Sequence, residues 1–419
     1  MASFRFLIAF ANQHGLLIHH MDVETAFLNG ELDKEIFMEI PQGVNYNKNV
    51  YCCKLKRALY GLKQAARCWF IKFEKVLLKL GFQTSPVDKC MYILNKGNVN
   101  DNIYVILYVD DLVIVTGKTN TMDNFKRHLM NEFSMKDLDC VKLFLGIRVE
   151  RKDNKISLSQ SAYIKSVLEK FSMQDCKPVE SPLPTKIDYD TLNSDEKYDA
   201  PCRQLIGCLM YLMVCTRPDL SIALSIVSRY TNKNDLELWK SLKRILIYLK
   251  GTFDLKLTYT QGDYDGILKG YVDADWAGDT NDRKSTTGYL YQLYNNCTIT
   301  WNSKRQRTVA ASSTEAEYMA LYEAVKEALW LKSLARSINI NKPIEIFEDN
   351  YGCIWIANNP TDHKKTKHID IRYHLSREQI EMGNIKLTQI FTDKQLADAL
   401  TKPLSAAKVM ESRKGMGLL

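Results

Sequence analysis

Two adjacent aspartates inside a strongly apolar run restrict this chain more than any other feature. The run is "YVILYVDDLVIVTG", residues 104–117, where Asp110 and Asp111 interrupt β-branched, aromatic and aliphatic residues. An ion buried without compensation costs several kcal/mol, and two arrangements avoid that cost. A hairpin turning at Asp-Asp leaves both carboxylates in water, and turns favour Asp. Alternatively a divalent cation neutralises the pair, since hard cations take carboxylate oxygens. The doublet by itself does not choose between them, so other carboxylates have to be sought.

A third lies upstream. Residues 16–40, "LLIHHMDVETAFLNGELDKEIFMEI", read as a strand, an irregular turn at Asn29-Gly30 and a second strand, with Asp22 at the end of the first. Leu16 to Ile18 and Met21 argue that this strand is buried. Laid beside the Asp110 hairpin, it brings three carboxylates to one point. Such a cluster repels itself unless metals occupy it, and two metals about 3.5–4 Å apart are the usual device for phosphoryl transfer. One cation activates the attacking hydroxyl and both steady charge on the phosphate.

Composition sets the frame for this chemistry. At ~150 residues per domain, a chain of 419 residues calls for two or three domains. The net charge of +8 suits a polyanionic partner without requiring one. No apolar run approaches the ~18 residues of a membrane span. Residues 1–10, "MASFRFLIAF", are too short and too abruptly followed by polar sequence for a signal peptide. Eleven cysteines at irregular spacing, with no CxxC pair, read as reduced intracellular thiols rather than a disulfide framework. The expectation is a soluble intracellular protein.

Periodicity orders the rest. Trp69, Phe70, Phe73, Val76, Leu77 and Leu80 predict a helix over 64–80 that stops at Gly81. A helix near 121–133, a strand near 141–150 and a helix over 161–171 follow. Residues 177–201 hold four prolines and many turn formers and read as a linker. Helices are expected around 202–230 and 235–250. From about 266 a strand-rich block begins, with a hairpin at 288–301 turning on Asn295-Asn296 and a long helix at 314–336.

That last block repeats the carboxylate pattern. Asp273 sits in "GYVDADWAG", Glu317 in "SSTEAEYMAL", Asp349 ends the strand "IEIFEDN", and Asp398 lies in "QLADAL". Two assignments stay open on the residues alone. Glu315 and Glu317 each stand three residues after a Ser or Thr, the spacing of a helix capping box with no catalytic meaning. Asp275 competes with Asp273, because alternation puts both on one face of a strand.

Basic and aromatic residues have plainer readings beside the functional ones. His363, His368 and His374 lack the accompanying cysteines of a zinc site. Lys364, Lys365, Lys367 and Arg372 instead form a strip able to neutralise phosphates, or a plain solvated face. "KSTTGY" and "NSKRQRTVAASS" mix cations with hydroxyls, as phosphate contacts that position a duplex do. Trp69, Trp239 and Trp330 lie on helical apolar stripes and read as core.

"HHMDVETAFLNG", "ALYGLKQAARCWF" and "YVDD" resemble, in that order, motifs A, B and C of the reverse transcriptase palm, in the wording of the Ty1/copia retrotransposon class. The resemblance extends over nearly the whole chain. "PQG" at 41–43 imitates the motif B of retroviral enzymes, but it precedes the Tyr60 segment. The resemblance implies that Asp22, Asp110 and Asp111 are the metal-binding triad and that Phe27 stacks under the deoxyribose, excluding a 2′-hydroxyl. It implies that Gly61 lets the backbone approach the incoming nucleotide, with Tyr60, Lys63 and Gln64 nearby, and that "FLGIRV" (144–149) is the primer grip. The C-terminal acids resemble those of ribonuclease H. There Asp273 would bridge two magnesium ions, Glu317 rather than Glu315 would match the family's pattern, and Asp398 would be the loosest ligand. No histidine stands in "IFTDKQLAD" where some ribonucleases H carry one, which bears on product release.

The implied fold is a multidomain α/β and α+β protein. A palm of antiparallel sheet and helices would span 1–150, thumb and linker 151–200, a helical connection 201–265, and a mixed α/β ribonuclease H domain 266–419. The implied cofactor is Mg2+, two ions per site, with Mn2+ as a substitute. The implied partners are an RNA template, RNA–DNA hybrid and deoxynucleoside triphosphates, with no membrane and an open oligomeric state. The location expected for the family is cytoplasmic, in virus-like particles, with the nucleus also admitted. The fingers that precede motif A in this family, and the upstream protease and integrase, are not in this sequence. The expectation is therefore an N-terminally truncated segment whose polymerase activity is impaired. The competing reading is a catalytically inactive, nucleic-acid-binding remnant, whereas an unrelated carboxylate-rich phosphatase or nuclease leaves "YVDD" unexplained.

Overall fold

Residues 2–13 have no polar stripe, and the sequence reading gives them no element. In the structure, a computed structural model, they form helix α1 (Ala2–Gln13), buried continuously from Ser3 to Asn12. A helix buried all round shows no amphipathic period. Its Arg5 is fully inside, donating from Nε to Ile299 O at 2.6 Å and from Nη1 to Val214 O and Cys215 O at 2.6 and 2.9 Å, with its guanidinium 4.0 Å from the Trp301 ring centre. Val214 and Cys215 close a later helix, whose last carbonyls have no partner within it, so Arg5 supplies one. The structure describes all residues except 47–50, 187–197, 233–234, 264–265, 295 and 360–369, and no side chains at 370–373. The chain forms two compact units, His14–Phe144 and Met1–Gln13 with Leu145–Leu419.

The first unit is built on a six-stranded antiparallel sheet. Its strands are β1 (Leu17–Val23), β4 (Gln83–Thr84), β5 (Met91–Leu94), β6 (Ile103–Tyr108), β7 (Asp111–Thr116) and β8 (Met135–Cys140), in the order β4-β5-β6-β7-β1-β8. Two short strands, β2 (Phe37–Met38) and β3 (Cys53–Lys54), pair separately, and β9 (Leu143–Phe144) ends the unit. Alternation along β1 sends Met21 and Val23 to one face. There they pack with Trp69, Phe73 and Leu77 of α2 (Ala65–Lys79) and with Met122, Phe125 and Leu129 of α3 (Thr119–Glu132). The other face is left to His20 and Asp22. Strand β8 goes unread in the sequence because it is an exposed edge of mostly polar residues.

In the second unit, β10 (Ile147–Lys152), β11 (Lys155–Ser159) and β12 (Leu257–Thr260) pair antiparallel. The strand expected at 141–150 is interrupted by a turn at Leu145–Gly146, where φ is +50° and +72°. Helices α4 (Ser161–Lys170), α5 (Cys202–Cys215), α6 (Ser221–Val227) and α7 (Leu236–Gly251) share one apolar core. The single helix expected over 202–230 breaks between Cys215 and Ser221, because Pro218 has no N–H to donate. Beyond them a mixed sheet runs in the order β15-β14-β13-β16-β17. Its strands are β13 (Lys269–Asp275), β14 (Thr286–Leu293), β15 (Cys297–Arg305), β16 (Ile344–Glu348) and β17 (Ile385–Gln389). Strand β13 is central, antiparallel to β14 and parallel to β16. Helices α8 (Ser313–Ser337), α9 (Tyr351–Asn358), α10 (Asp370–Glu381), α11 (Asp398–Thr401) and α12 (Ala406–Gly415) complete the unit. Among the described residues no helix is long and apolar enough to cross a membrane.

Candidate active sites

In the first unit the Asp-Asp doublet takes the first of the two arrangements, with a third acid brought beside it. The doublet is a hairpin turn, since Tyr108 pairs with Asp111 and the chain reverses through Val109 and Asp110. The same sheet places β1 against β7, with Asp22 directly opposite Asp111, and Val23 N donates to Asp110 O at 2.9 Å. The register therefore brings three half-buried acids to one end of the sheet, although their carboxylate oxygens are not among the described groups that lie within 4.8 Å of one another. Burial, then the charges of Asp110 and Asp111, raise the pKa of Asp22 above the usual carboxylate range, which is the mutual repulsion a cation would relieve.

His20, Val109 and Trp69 support this site without a functional reading in the sequence. His20, two residues before Asp22 on the same strand face, shares a 2.7 Å hydrogen bond between Nε2 and Asp111 Oδ1. The ring of Phe144 stands edge-on to His20, centroids 5.9 Å apart. Val109 has φ +58°, a strained value for a β-branched residue, and Trp69 Nε1 donates to its carbonyl at 2.5 Å. Trp69 is core, as its helical stripe predicts, and also a brace for the turn. Of the residues expected on the nucleotide side, two stand together and the others follow in sequence. Phe27 and Tyr60 stack tilted at 4.6 Å, and Tyr60 is 78% exposed. Gly61 has φ +95° with open space where a Cβ would stand, and Lys63 and Gln64 lead into α2 with Lys63 exposed.

The second unit carries the second site. Asp273 on central strand β13, Glu317 in the second turn of α8 and Asp349 just past β16 bring one carboxylate oxygen each within 4.8 Å of one another. Asp273 and Glu317 are buried, and Glu317 Oε2 has no hydrogen-bond partner. An orphaned buried oxygen beside two more carboxylates fits a hard divalent cation. Burial raises Asp273 to about 7, with Asp398 and Asp349 adding to the rise and Lys402 opposing it. Burial, then Glu348, Asp273 and Asp349, push Glu317 well above its ordinary range. Asp398, opening α11, is held by Lys402 Nζ at 2.8 Å, while Thr401 Oγ1 donates to Asp273 Oδ2.

The open pairs separate by geometry. Glu315 is the capping partner of Ser312: its N–H donates to Ser312 Oγ at 3.2 Å and its Oε2 accepts from Ala311 N at 2.8 Å. Asp275 lies outside the group of three, turned against Gly278. Glu348, fully buried beside Asp349, was missed; its Oε1 accepts from Asn350 N at 3.0 Å. Lys402 was missed as well, though its position four residues after Asp398 is the helical ion-pair spacing.

Other sequence readings fare differently. Ser285, Thr286 and Thr287 of "KSTTGY" are buried, Ser285 Oγ accepting from Ala277 N and Thr287 Oγ1 from Gln306 Nε2, both at 3.1 Å. Their hydroxyls serve the fold and not a phosphate. Arg305 is engaged by Asp282 at 2.8 Å, whereas Lys304 and Arg307 are exposed. Lys364, Lys365 and Lys367, with His363 and His368, lie outside the described residues, as does the side chain of Arg372. A His19–Asp137–Asp139 group in the first unit is already neutralised, because Lys126 Nζ reaches His19 Nδ1 at 2.6 Å and Asp137 Oδ1 at 2.7 Å.

Known proteins place these geometries. Residues 1–185 match the family described as reverse transcriptase (RNA-dependent DNA polymerase). The chain is 39% identical over 96% of its length to the retrovirus-related Pol polyprotein from transposon TNT 1-94 of Nicotiana tabacum, and 37% identical over 100% to that from transposon RE2 of Arabidopsis thaliana. It is also 32% identical to the putative transposon Ty5-1 protein YCL074W of Saccharomyces cerevisiae, covering 100% of that protein and 73% of itself. The chain belongs to the copia-type retrotransposon Pol polyproteins. It spans 31% of the tobacco polyprotein and 29% of the Arabidopsis one. A foamy viral protease–reverse transcriptase solved with double-stranded DNA shares the fold, with TM-score 0.51 and 13% identity over 90% of this chain and 57% of that one.

Proposed function

We propose that this chain is the reverse transcriptase and ribonuclease H segment of a copia-type Pol polyprotein. In this reading it synthesises DNA on an RNA template from deoxynucleoside triphosphates and hydrolyses the RNA of RNA–DNA hybrids. Residues 14–144 act as the palm, the helices of 161–251 as thumb and connection, and 266–419 as the ribonuclease H portion. The observation that carries the reading is the convergence of Asp273, Glu317 and Asp349, beside a second set of acids brought together by the β1–β7 register, each set holding an acid whose pKa is raised by burial and crowding.

Asp22, Asp110 and Asp111 in the first site, and Asp273, Glu317, Asp349 and Asp398 in the second, would hold Mg2+, with Mn2+ as a substitute. Bound, the ions supply an activated hydroxyl and neutralise charge on the phosphate. The chain's own residues do the rest. His20 and Trp69 fix the geometry of Asp111 and of the Val109–Asp110 turn. Phe27 and Tyr60 form a ring platform for the incoming sugar, and Gly61 leaves backbone open beside it. Thr401 orients Asp273, and Lys402 balances Asp398. Exposed Lys304 and Arg307 offer phosphate contacts that position a duplex without reading it.

The test gives the purified chain a labelled hybrid and a primed RNA template, with and without Mg2+. Cleavage that needs Mg2+ and disappears in Asp273→Asn, together with extension that disappears in Asp110→Asn, is expected. Full cleavage by Asp273→Asn would refute the second site. Hybrid binding with neither activity would instead establish the inactive remnant.

A further inference from the structure

The turn at Leu145–Gly146 combines features that its own sequence does not support. Consecutive positive φ values of +50° and +72° are those of a two-residue turn that prefers Asn-Gly. Leucine at the first position carries a side chain into a region that only short polar residues and glycine enter readily. Something outside the turn must hold it, because strain of this kind persists only where surroundings over-determine it.

The holder is on α5. Tyr211 Oη donates to the carbonyl of Leu145. A Cβ on Gly146 would lie 2.5 Å from the same oxygen, so the hydroxyl fills the space that glycine leaves. The Tyr211 ring is fixed in turn by Tyr163 of α4, edge-on at 4.8 Å and 85°. Trp69 braces Val109 by the same means, an aromatic donor on a helix bonded to the carbonyl of a bulky residue at positive φ.

We propose that Tyr211 is a positioning residue of the polymerase reaction, holding the Leu145–Gly146 turn in the shape that receives the primer strand. This rests on the reading of the chain as a reverse transcriptase, in which "FLGIRV" (144–149) handles the primer terminus. Tyr211 touches neither primer nor nucleotide. It acts through the backbone of Leu145.

The experiment compares the full chain with Tyr211→Phe, Leu145→Asn and the double variant. Binding of a recessed RNA–DNA primer–template and of a blunt hybrid of equal length is measured by anisotropy, with hydrogen exchange at 145–147 and hybrid cleavage alongside. Tyr211→Phe is expected to weaken the recessed duplex about fivefold, the worth of one hydrogen bond. Blunt-duplex binding and cleavage should stay unchanged, and exchange at 145–147 should quicken. Leu145→Asn, which makes the turn Asn-Gly, should restore recessed-duplex binding in the Tyr211→Phe background. Equal loss on both duplexes, or no rescue, would reduce Tyr211 to a packing residue and overturn the proposal. Failure of the parent to extend any primer while preferring the recessed duplex would count against polymerase activity and leave Tyr211 judged by the binding contrast.

Discussion

Glu315 and Glu317 stand two residues apart on one helix, and the proposed function gives them unrelated work, which makes them the sharpest test at the scale of single side chains. Glu315 Oε2 accepts from the N–H of Ala311, just before the N-cap Ser312, so Glu315→Ala should cost about 1 kcal/mol of stability, the net worth of one hydrogen bond, and leave hybrid cleavage intact. Glu317→Gln keeps shape and volume but removes a charge beside Asp273 and Asp349. Its cleavage should fall by more than the roughly 10–100-fold that loss of an outer partner costs, with thermal stability unchanged or raised, because a crowded acid is relieved. Activity assays and melting curves on the two variants should therefore give opposite patterns, and a common pattern would undo the assignment. Both glutamates were legible in the sequence as acids near a helix start. Which one caps was not, since a capping box and a ligand present the same spacing until the strand beneath the helix is placed. Glu348 stayed invisible for a related reason, standing next to a better-placed acid in an alternating strand.

At the scale of elements, the close approach of α11 to β14 sets where Asp398 and Thr401 stand. A Cβ on Gly288 would lie 2.6 Å from Thr401 Cγ2, 2.9 Å from Leu400 Cβ and 3.0 Å from Ala397 O. Gly288→Ala should therefore push α11 away from β13, loosen the Thr401 bond to Asp273, and lower cleavage and stability together, by about 1–3 kcal/mol for the latter. Gly30 plays the equivalent part in the first unit, its missing Cβ 2.8 Å from Cys68 Cβ and 2.9 Å from Trp69 N. Gly30→Ala should displace the helix that carries the Trp69 brace and lower primer extension while sparing cleavage. Both glycines are unremarkable in sequence, because what excludes a methyl group at each is a segment remote in the chain. The elements themselves are legible where periodicity and end signals agree, as for α2, α7 and α8, or where the period alone is clear, as for α4. They are not where one face of the pattern is missing: α1 is buried all round, β8 is a polar edge, and Pro218 and the Leu145–Gly146 turn each divide an apolar run that reads as continuous.

For the whole molecule, the buried acids of the second site couple stability to pH and, on the proposed function, to divalent cations. Asp273 ionises near 3.8 in an unfolded chain and is raised to about 7 in the fold, chiefly by burial; Glu317 and Glu348 are raised well above their usual range as well. Through the window from about 4 to about 7 the folded protein therefore holds protons that the unfolded chain has released. Stability falls with pH wherever the native state binds more protons, so in a chelator the melting temperature should decline as pH rises from 5 to 7.5. A divalent cation that binds only the folded site adds RT ln(1 + [L]/Kd), about 2.7 kcal/mol at a hundredfold excess over Kd. Because it competes with those protons, Mg2+ should raise the melting temperature clearly at pH 7.5 and little at pH 5. Asp273→Asn removes one titrating group and one ligand together. In that variant the decline with pH should flatten and the Mg2+ increment should shrink. A melting temperature in chelator that does not decline between pH 5 and 7.5, or an Mg2+ increment equal in the parent and in Asp273→Asn, would mean that these carboxylates do not share a cation.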